Sequence, residues 1–556
     1  MNSSSEALRR ELGEVFTPPS VAASICKRLS NLNLLEGAKI LEPSVGDGAF
    51  VSALNAGTTK PAHITAVDLN ANSLAAIFES EGDIPLTKIA DDFSNYSRQN
   101  SDRFDIIVGN PPYIRRNRIS ESFRAFALEL CSQLDYPIIM AGNAWTVFIL
   151  ACCEKIRLGG SMAVVVPYEL LTVDHGKRLV EYISQKFSKV EVYVGKERAF
   201  PNIEQDGVVL LASGKGNSKN PAAVEMVLCD ALDTLDLDAC DADRRVPLNS
   251  KPWASKYFVL PNSSRNIIDE TLLKHSSLSE YCTNTAGLVT GANDFFILSS
   301  SEVDRLRLRE YSVPIIKRGA QVAHYPEISD DEIALIEDQQ TSLLDFHAAL
   351  NSPLTEAAAS YVKSGEDRRI HQGYKLKNRT PWYIVPRYKS AKMIFFKRAH
   401  MVPKLMINRS MAAVTDAGYV VNPKEGITAT SLLMSFYSTL GLLSAELEGR
   451  FYGGGVLELT PNEFRSVRVP YVEADASAYM DFKDAWAGGG VQKAIDTSDE
   501  RLIRAGLFTE EVVGQLKSSL AALRAHRLRH SGRLNSSTSE SKRGSDLPRD
   551  ISSRCD

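Results

Sequence analysis

The chain has 556 residues, too many for one ordinary domain, and implies two or three. Hydrophobic residues make up 44% and charged residues 24%, the balance of a folded chain with a sizeable core, which excludes a disordered or low-complexity protein. A formal net charge of only -4 excludes a uniformly basic nucleic-acid binder, so any such role must come from a local patch.

The eight cysteines form no C-x-x-C pair and have no neighbouring His cluster. Neither a zinc site nor a disulfide framework is expected, and a reducing cytoplasm is implied. The polar, charged start from Met1 to Glu14 is unlike a signal peptide. No apolar run reaches the roughly 18 residues that span a bilayer, so no membrane partner is expected.

In chain order, strands are predicted at Ala38–Leu41, Ile64–Val67, Phe104–Val108, Met162–Val166, Val190–Val194 and Val208–Leu211. Helices are predicted between them at Asn72–Glu79, Trp145–Ile156 and His175–Phe187. This alternation implies βαβ units and a mostly parallel sheet, an α/β domain over residues 1–215. The polar run Lys215–Asn220 reads as its edge. Residues 216–526 lose the alternation and read as a mixed α+β region, with helix-like stretches at Ser329–Leu350 and Glu510–Arg524. Residues 527–556, rich in Ser, Arg and Asp, read as a disordered tail.

Ligands of such sheets bind at the carboxyl ends of the strands. Leu41-Glu42-Pro43-Ser44-Val45-Gly46-Asp47-Gly48 follows the first strand. Gly46 and Gly48 permit a tight turn and close backbone approach, although an ordinary glycine turn reads the same way. Glu42 suits a cationic ligand, and the missing G-K-[ST] ending argues against a nucleoside triphosphate. Asp68, about twenty residues on, ends the next strand, where a carboxylate accepts from ribose hydroxyls. Alone it reads equally as a helix N-cap. Asp92-Phe93 follows the third strand and offers an acceptor for an adenine amino group and a ring to stack on the base, with a solvated loop acid as the alternative. Asn110-Pro111-Pro112-Tyr113 ends the next strand. The prolines fix φ and remove donors, leaving carbonyls free. The Asn110 side-chain carbonyl and the Pro111 backbone carbonyl together suit both hydrogens of an exocyclic amine, and Tyr113 offers a face to a base.

On these motifs, from Gly13 to Ser213, the chain resembles the γ-type N6-adenine DNA methyltransferases, the TaqI-like and Eco57I-like N-P-P-Y enzymes. The resemblance implies a Rossmann-like S-adenosylmethionine-dependent sheet domain followed by a target-recognition domain. It implies a restriction–modification role, double-stranded DNA as partner, a functional link to a cognate endonuclease and a cytoplasmic location. It assigns Thr17, in Gly13–Pro19, to the methionine moiety, and Glu42, Gly46, Gly48, Asp68, Asp92 and Phe93 to the cofactor, with no metal. Asn110, Pro111, Pro112 and Tyr113 become catalytic, and Phe200 becomes the aromatic that packs on a flipped base. Methylation of RNA or of a protein glutamine, and a non-catalytic DNA-binding defence subunit, remain alternatives.

From Lys363 to Arg409 there are seven Lys and six Arg against Glu366 and Asp367, a net +11. Tyr374, Trp382, Tyr383, Tyr388, Phe395 and Phe396 are interleaved. Such a stretch suits phosphate contact with stacking, with Arg368, Arg369, Lys375 and Lys377 as candidate DNA contacts; a solvated face is the competing view.

Overall fold

A computed structural model describes residues 16–77, 84–114, 119–138, 143–195, 207–216, 221–235, 245–248, 256, 259–336, 341–388, 391–452 and 455–528. Contacts divide the chain into two units, Met1–Asn262 and Ser263–Asp556.

The first unit opens with α1 (Pro19–Asn31), whose first turn takes Pro19 at a position where no amide donor is needed. Val21, Ala22, Ile25 and Leu29 recur at helical spacing and are buried. There follow β1 (Lys39–Glu42), α2 (Ala49–Ala56), β2 (His63–Asp68), α3 (Ala71–Ala76), β3 (Leu86–Ala90), α4 (Phe93–Gln99) and β4 (Phe104–Gly109). Next come α5 (Glu121–Gln133), α6 (Ala144–Lys155), β5 (Ile156–Pro167), α7 (Asp174–Lys186), β6 (Phe187–Gly195), β7 (Gly207–Lys215), β8 (Val224–Cys229) and β9 (Arg245–Pro247). Helix α6 is apolar nearly all round, and eleven of its residues are buried.

The nine strands form one sheet in the order β3-β2-β1-β4-β5-β7-β6-β8-β9. Strands β1 to β5 are mutually parallel, and β7 runs antiparallel to both β5 and β6. The strand order reverses between β1 and β4, so the ligand crevice lies at their carboxyl ends. The sheet is thus the mostly parallel one that the alternation implies. It extends beyond the polar run at 215–220: β8 pairs parallel with β6, from Val190 opposite Val224 to Gly195 opposite Cys229. The buried Val, Met and Leu of β8 continue the core across that break.

The second unit is mixed α+β. A five-stranded sheet runs in the order Cys282–Ala286, Gly418–Pro423, Met393–Phe396, Lys404–Asn408, Glu327–Ile328. A four-stranded sheet orders Ile297–Leu298, Ser342–Leu344, Ser312–Ile316, Ala413–Val414. The expected helix over Ser329–Leu350 is corrected. Among the described residues there, only Asp330–Ala334 is α-helical, and His347–Leu350 is a 3-10 turn. Ser342–Leu344 is a strand because it is bonded on both edges, to Ile297–Leu298 and to Ser312–Pro314. Tertiary pairing outweighs helix propensity there. The helix Glu510–Leu528 takes in the start of the expected tail. Its Arg527 is buried, 2.6 Å from Glu446 and from the His400 carbonyl. Residues 529–556 lie outside the described residues.

Candidate active site

The crevice at the ends of β1 and β4 is built from short loops with specific backbone needs. After β1 the chain turns through Gly46 (φ +59°) and Gly48 (φ +80°), both left-handed. Gly48 then starts α2. A side chain at Gly46 would bring its Cβ to 3.1 Å from the Phe16 ring, so the residue before Thr17 already lies against this loop. Thr17 itself is buried.

Asp68, at the end of β2, holds the loop by a carboxylate bridge. Its Oδ2 accepts from the Gly46 amide at 2.8 Å and its Oδ1 from the Asn70 amide at 2.8 Å. The α3 cap is Asn70, not Asp68, which removes the N-cap alternative. Asp92 does act as a cap: its Oδ1 accepts from the Ser94 amide at 2.7 Å at the start of α4. Phe93 is 3% exposed and stacks on Phe148 at 5.1 Å between ring centroids, so one of its faces is already covered.

Glu42 is the unusual group. It is 1% exposed, and its Oε2 is a buried oxygen with no hydrogen-bond partner among the described residues. Burial, reinforced by Asp47 and Asp68, pushes its carboxyl well above the ordinary range, while the Val51 amide of α2 opposes this. Such a carboxylate is costly in a fold and useful to a cationic ligand. Burial also raises the Asp47 carboxyl, and it raises the Cys26 thiol to about 12.

Asn110-Pro111-Pro112-Tyr113 leaves β4 beside this loop. The Ser44 hydroxyl donates to the Asn110 backbone carbonyl at 3.0 Å and joins two loops 66 residues apart in sequence. Gly109 (φ +156°) allows the contact, since a Cβ there would sit 3.3 Å from Pro43 Cδ. On the other side, the Ala144 amide at the start of α6 donates to the Ile114 carbonyl at 3.1 Å. Pro111 is buried and Tyr113 half-buried. The Tyr113 hydroxyl is buried with no partner among the described residues, and burial pushes its phenol up.

The structure therefore gathers Glu42, Gly46, Gly48, Asp68 and Asn110–Tyr113 at the ends of adjacent strands. Sequence reasoning gave no role to Ser44, Gly109 or Phe16. All three lie inside or beside the motifs, but their roles depend on contacts across the strands. Phe200 and the stretch Gly13–Val15 lie outside the described residues.

The basic stretch of the second unit is not one patch. Lys363 pairs with Asp367 at 3.3 Å, Arg398 with Glu458 at 2.6 Å and Arg409 with Glu327 at 2.8 Å. Arg379 donates to the Thr290 and Val289 carbonyls at 2.6 and 2.8 Å. Lys404 is held to the Ala323 carbonyl at 3.2 Å, and burial lowers its ammonium to about 7. Of the six interleaved aromatics only Tyr374 is exposed; Phe395 and Phe396 are buried and the other three partly so. Arg368, Arg369, Lys375 and Lys377 are exposed.

The Eco57I restriction-modification methylase family matches residues 22–200, and the C-terminal domain of the type II methyltransferase M.Eco57I matches residues 250–503. The chain is 21% identical over 485 residues to the type II methyltransferase M.AccI of Acinetobacter calcoaceticus, covering 82% of this chain and 84% of that one. It is 22% identical over 473 residues to the type II methyltransferase M.XamI of Xanthomonas campestris pv. amaranthicola, covering 83% and 85%. The solved structure of the Type IIL restriction-modification enzyme MmeI in complex with DNA matches with a TM-score of 0.50 at 11% identity, over 94% of this chain and 76% of that one. At that identity the likeness shows the fold.

Proposed function

We propose that this chain, which matches the Eco57I restriction-modification methylase family over residues 22–200 and the M.Eco57I C-terminal domain over 250–503, transfers a methyl group from S-adenosylmethionine to the N6 amine of adenine in duplex DNA. The observation that carries this reading is the Asn110–Tyr113 loop at the end of β4, bonded through Ser44 to the glycine loop at the end of β1.

The site fits the cofactor on two counts. A buried carboxylate oxygen on Glu42 with no hydrogen-bond partner among the described residues suits a cationic ligand, and the left-handed glycines leave backbone open to close approach. In this reading Thr17, Glu42, Gly46, Gly48, Asp68, Asp92 and Phe93 hold it. Bound there, S-adenosylmethionine supplies an activated methyl group on a sulfonium.

The chain's own work is positioning and electrostatics. The adenine amine is unreachable within the stack, so the base leaves the duplex to enter the site. The Asn110 side-chain carbonyl and the Pro111 backbone carbonyl accept the two amine hydrogens, which directs the nitrogen lone pair toward the methyl group. Tyr113 stacks on the base. No strong base is needed, because the N6 proton becomes acidic only once nitrogen is methylated. In the second unit Arg368, Arg369, Lys375 and Lys377 contact DNA phosphates. A cognate endonuclease acting on the same sequence, and a cytoplasmic, DNA-associated location, complete this reading.

The test is methyl transfer by the purified chain from labelled S-adenosylmethionine to duplex DNA, followed by nucleoside analysis. N6-methyladenine is the expected product. Label in RNA or in protein glutamine, or no transfer at all, would replace the reading with one of its rivals.

A further inference from the structure

We propose that residues 368–382 of the second unit form a nucleotide subsite on DNA, in which His371 meets a base edge, Tyr374 stacks on a base, and the surrounding cations hold the adjoining phosphates. This rests on the reading of DNA as the substrate.

A notch of about 530 Å³ is lined by His371, Leu376, Lys377, Arg379, Pro381 and Trp382, among others. Its base is rigid. Arg379 is fastened to the Thr290 and Val289 carbonyls. Leu376 is 1% exposed. Trp382 packs on Phe295 at 5.2 Å, and its Nε1 donates to Glu366 at 3.4 Å. The rim is the opposite. The helix Glu356–Asp367 ends at Arg368, and Arg369 (φ +57°) turns the chain sharply into the 3-10 turn Ile370–Gln372. Arg368, Arg369, Lys375 and Lys377 all face solvent there.

The chemistry favours a polyanion with aromatic bases. From Arg368 to Arg379 there are five Arg and Lys and no Asp or Glu. The two carboxylates just before are engaged, Glu366 by Trp382 and Asp367 by Lys363. Tyr374 is 80% exposed, and the Lys377 ammonium lies 5.6 Å from its ring centre. An aromatic held out among cations suits base stacking beside phosphate. The His371 ring lies 6.0 Å from Trp382, and its Nδ1 is buried with no partner among the described residues. An imidazole carries a donor and an acceptor nitrogen, so it can bond a base edge where the rim cations, donors only, meet phosphate.

The experiment uses the full chain and duplex DNA over a range of salt concentrations, with melting temperature and S-adenosylmethionine binding as controls. Tyr374→Ala should weaken DNA binding about tenfold. The double variant Lys375→Glu, Lys377→Glu should flatten the log–log salt dependence by about one unit per lost phosphate contact. His371→Ala should relax the bound sequence at one position, with His371→Gln restoring part of the selectivity. Unchanged affinity, slope and sequence preference in folded variants would overturn the subsite. If those variants still methylate DNA, the methylase reading stands without it. If the wild type binds DNA through this subsite but transfers no methyl group, the subsite stands and the methylase reading falls.

Discussion

Glu42→Gln should make the protein more stable while weakening its cofactor binding. Glu42 is 1% exposed, and burial raises its carboxyl well above the ordinary 4.5. A folded-state pKa above the unfolded one means that the native protein binds the proton more tightly. That contribution is complete below pH 4.5 and is lost as pH rises toward the folded value. The loss is about 1.4 kcal/mol per pH unit across that window. Gln keeps the volume and an acceptor for the Val51 amide, and it does not titrate. Its advantage should be absent at pH 4 and grow as pH rises through that window, seen as a widening gap in Tm between the two proteins. Calorimetric scans of the two proteins without cofactor, at several pH values, read this directly. Titration with S-adenosylmethionine should show weaker binding by the variant. A variant less stable at every pH would refute the reasoning, since Glu42 would then have a structural partner.

Asp68→Ala should weaken S-adenosylmethionine binding by about 1.5–3 kcal/mol, the cost of losing bonds to a charged acceptor. Unchanged affinity in calorimetry would remove Asp68 from the site. Ser44→Ala breaks the bond between the two loops and should lower kcat by about three- to tenfold with cofactor affinity kept; single-turnover rates equal to wild type would make that bond incidental. Gly109→Ala forces a Cβ toward Pro43 and should cost about 1–3 kcal/mol of stability, visible as a lowered melting temperature.

The loops of the candidate site are legible in sequence because their signals are local. Turn chemistry announces itself within a few residues, as in Gly46–Gly48 and Asn110–Tyr113, and the strands before them set their place at one edge of the sheet. What was not legible depends on distant partners. Ser342–Leu344 sits in a helix-favouring stretch and becomes a strand only through the neighbours it bonds. The +11 run looked like one surface because its partners Glu458 and Glu327 are far away in sequence. The acid Glu42 suits a cation on sequence alone, but its burial depends on a packed environment that no local motif reveals.

The most direct measurement of the central claim is sequencing, with detection of N6-methyladenine, of DNA from cells expressing the wild type or Asn110→Ala. The account predicts N6-methyladenine in one fixed sequence context with the wild type. With the variant it predicts none, while the purified variant still binds S-adenosylmethionine. Methylation by the variant at the wild-type level, or wild-type DNA without N6-methyladenine, would contradict it.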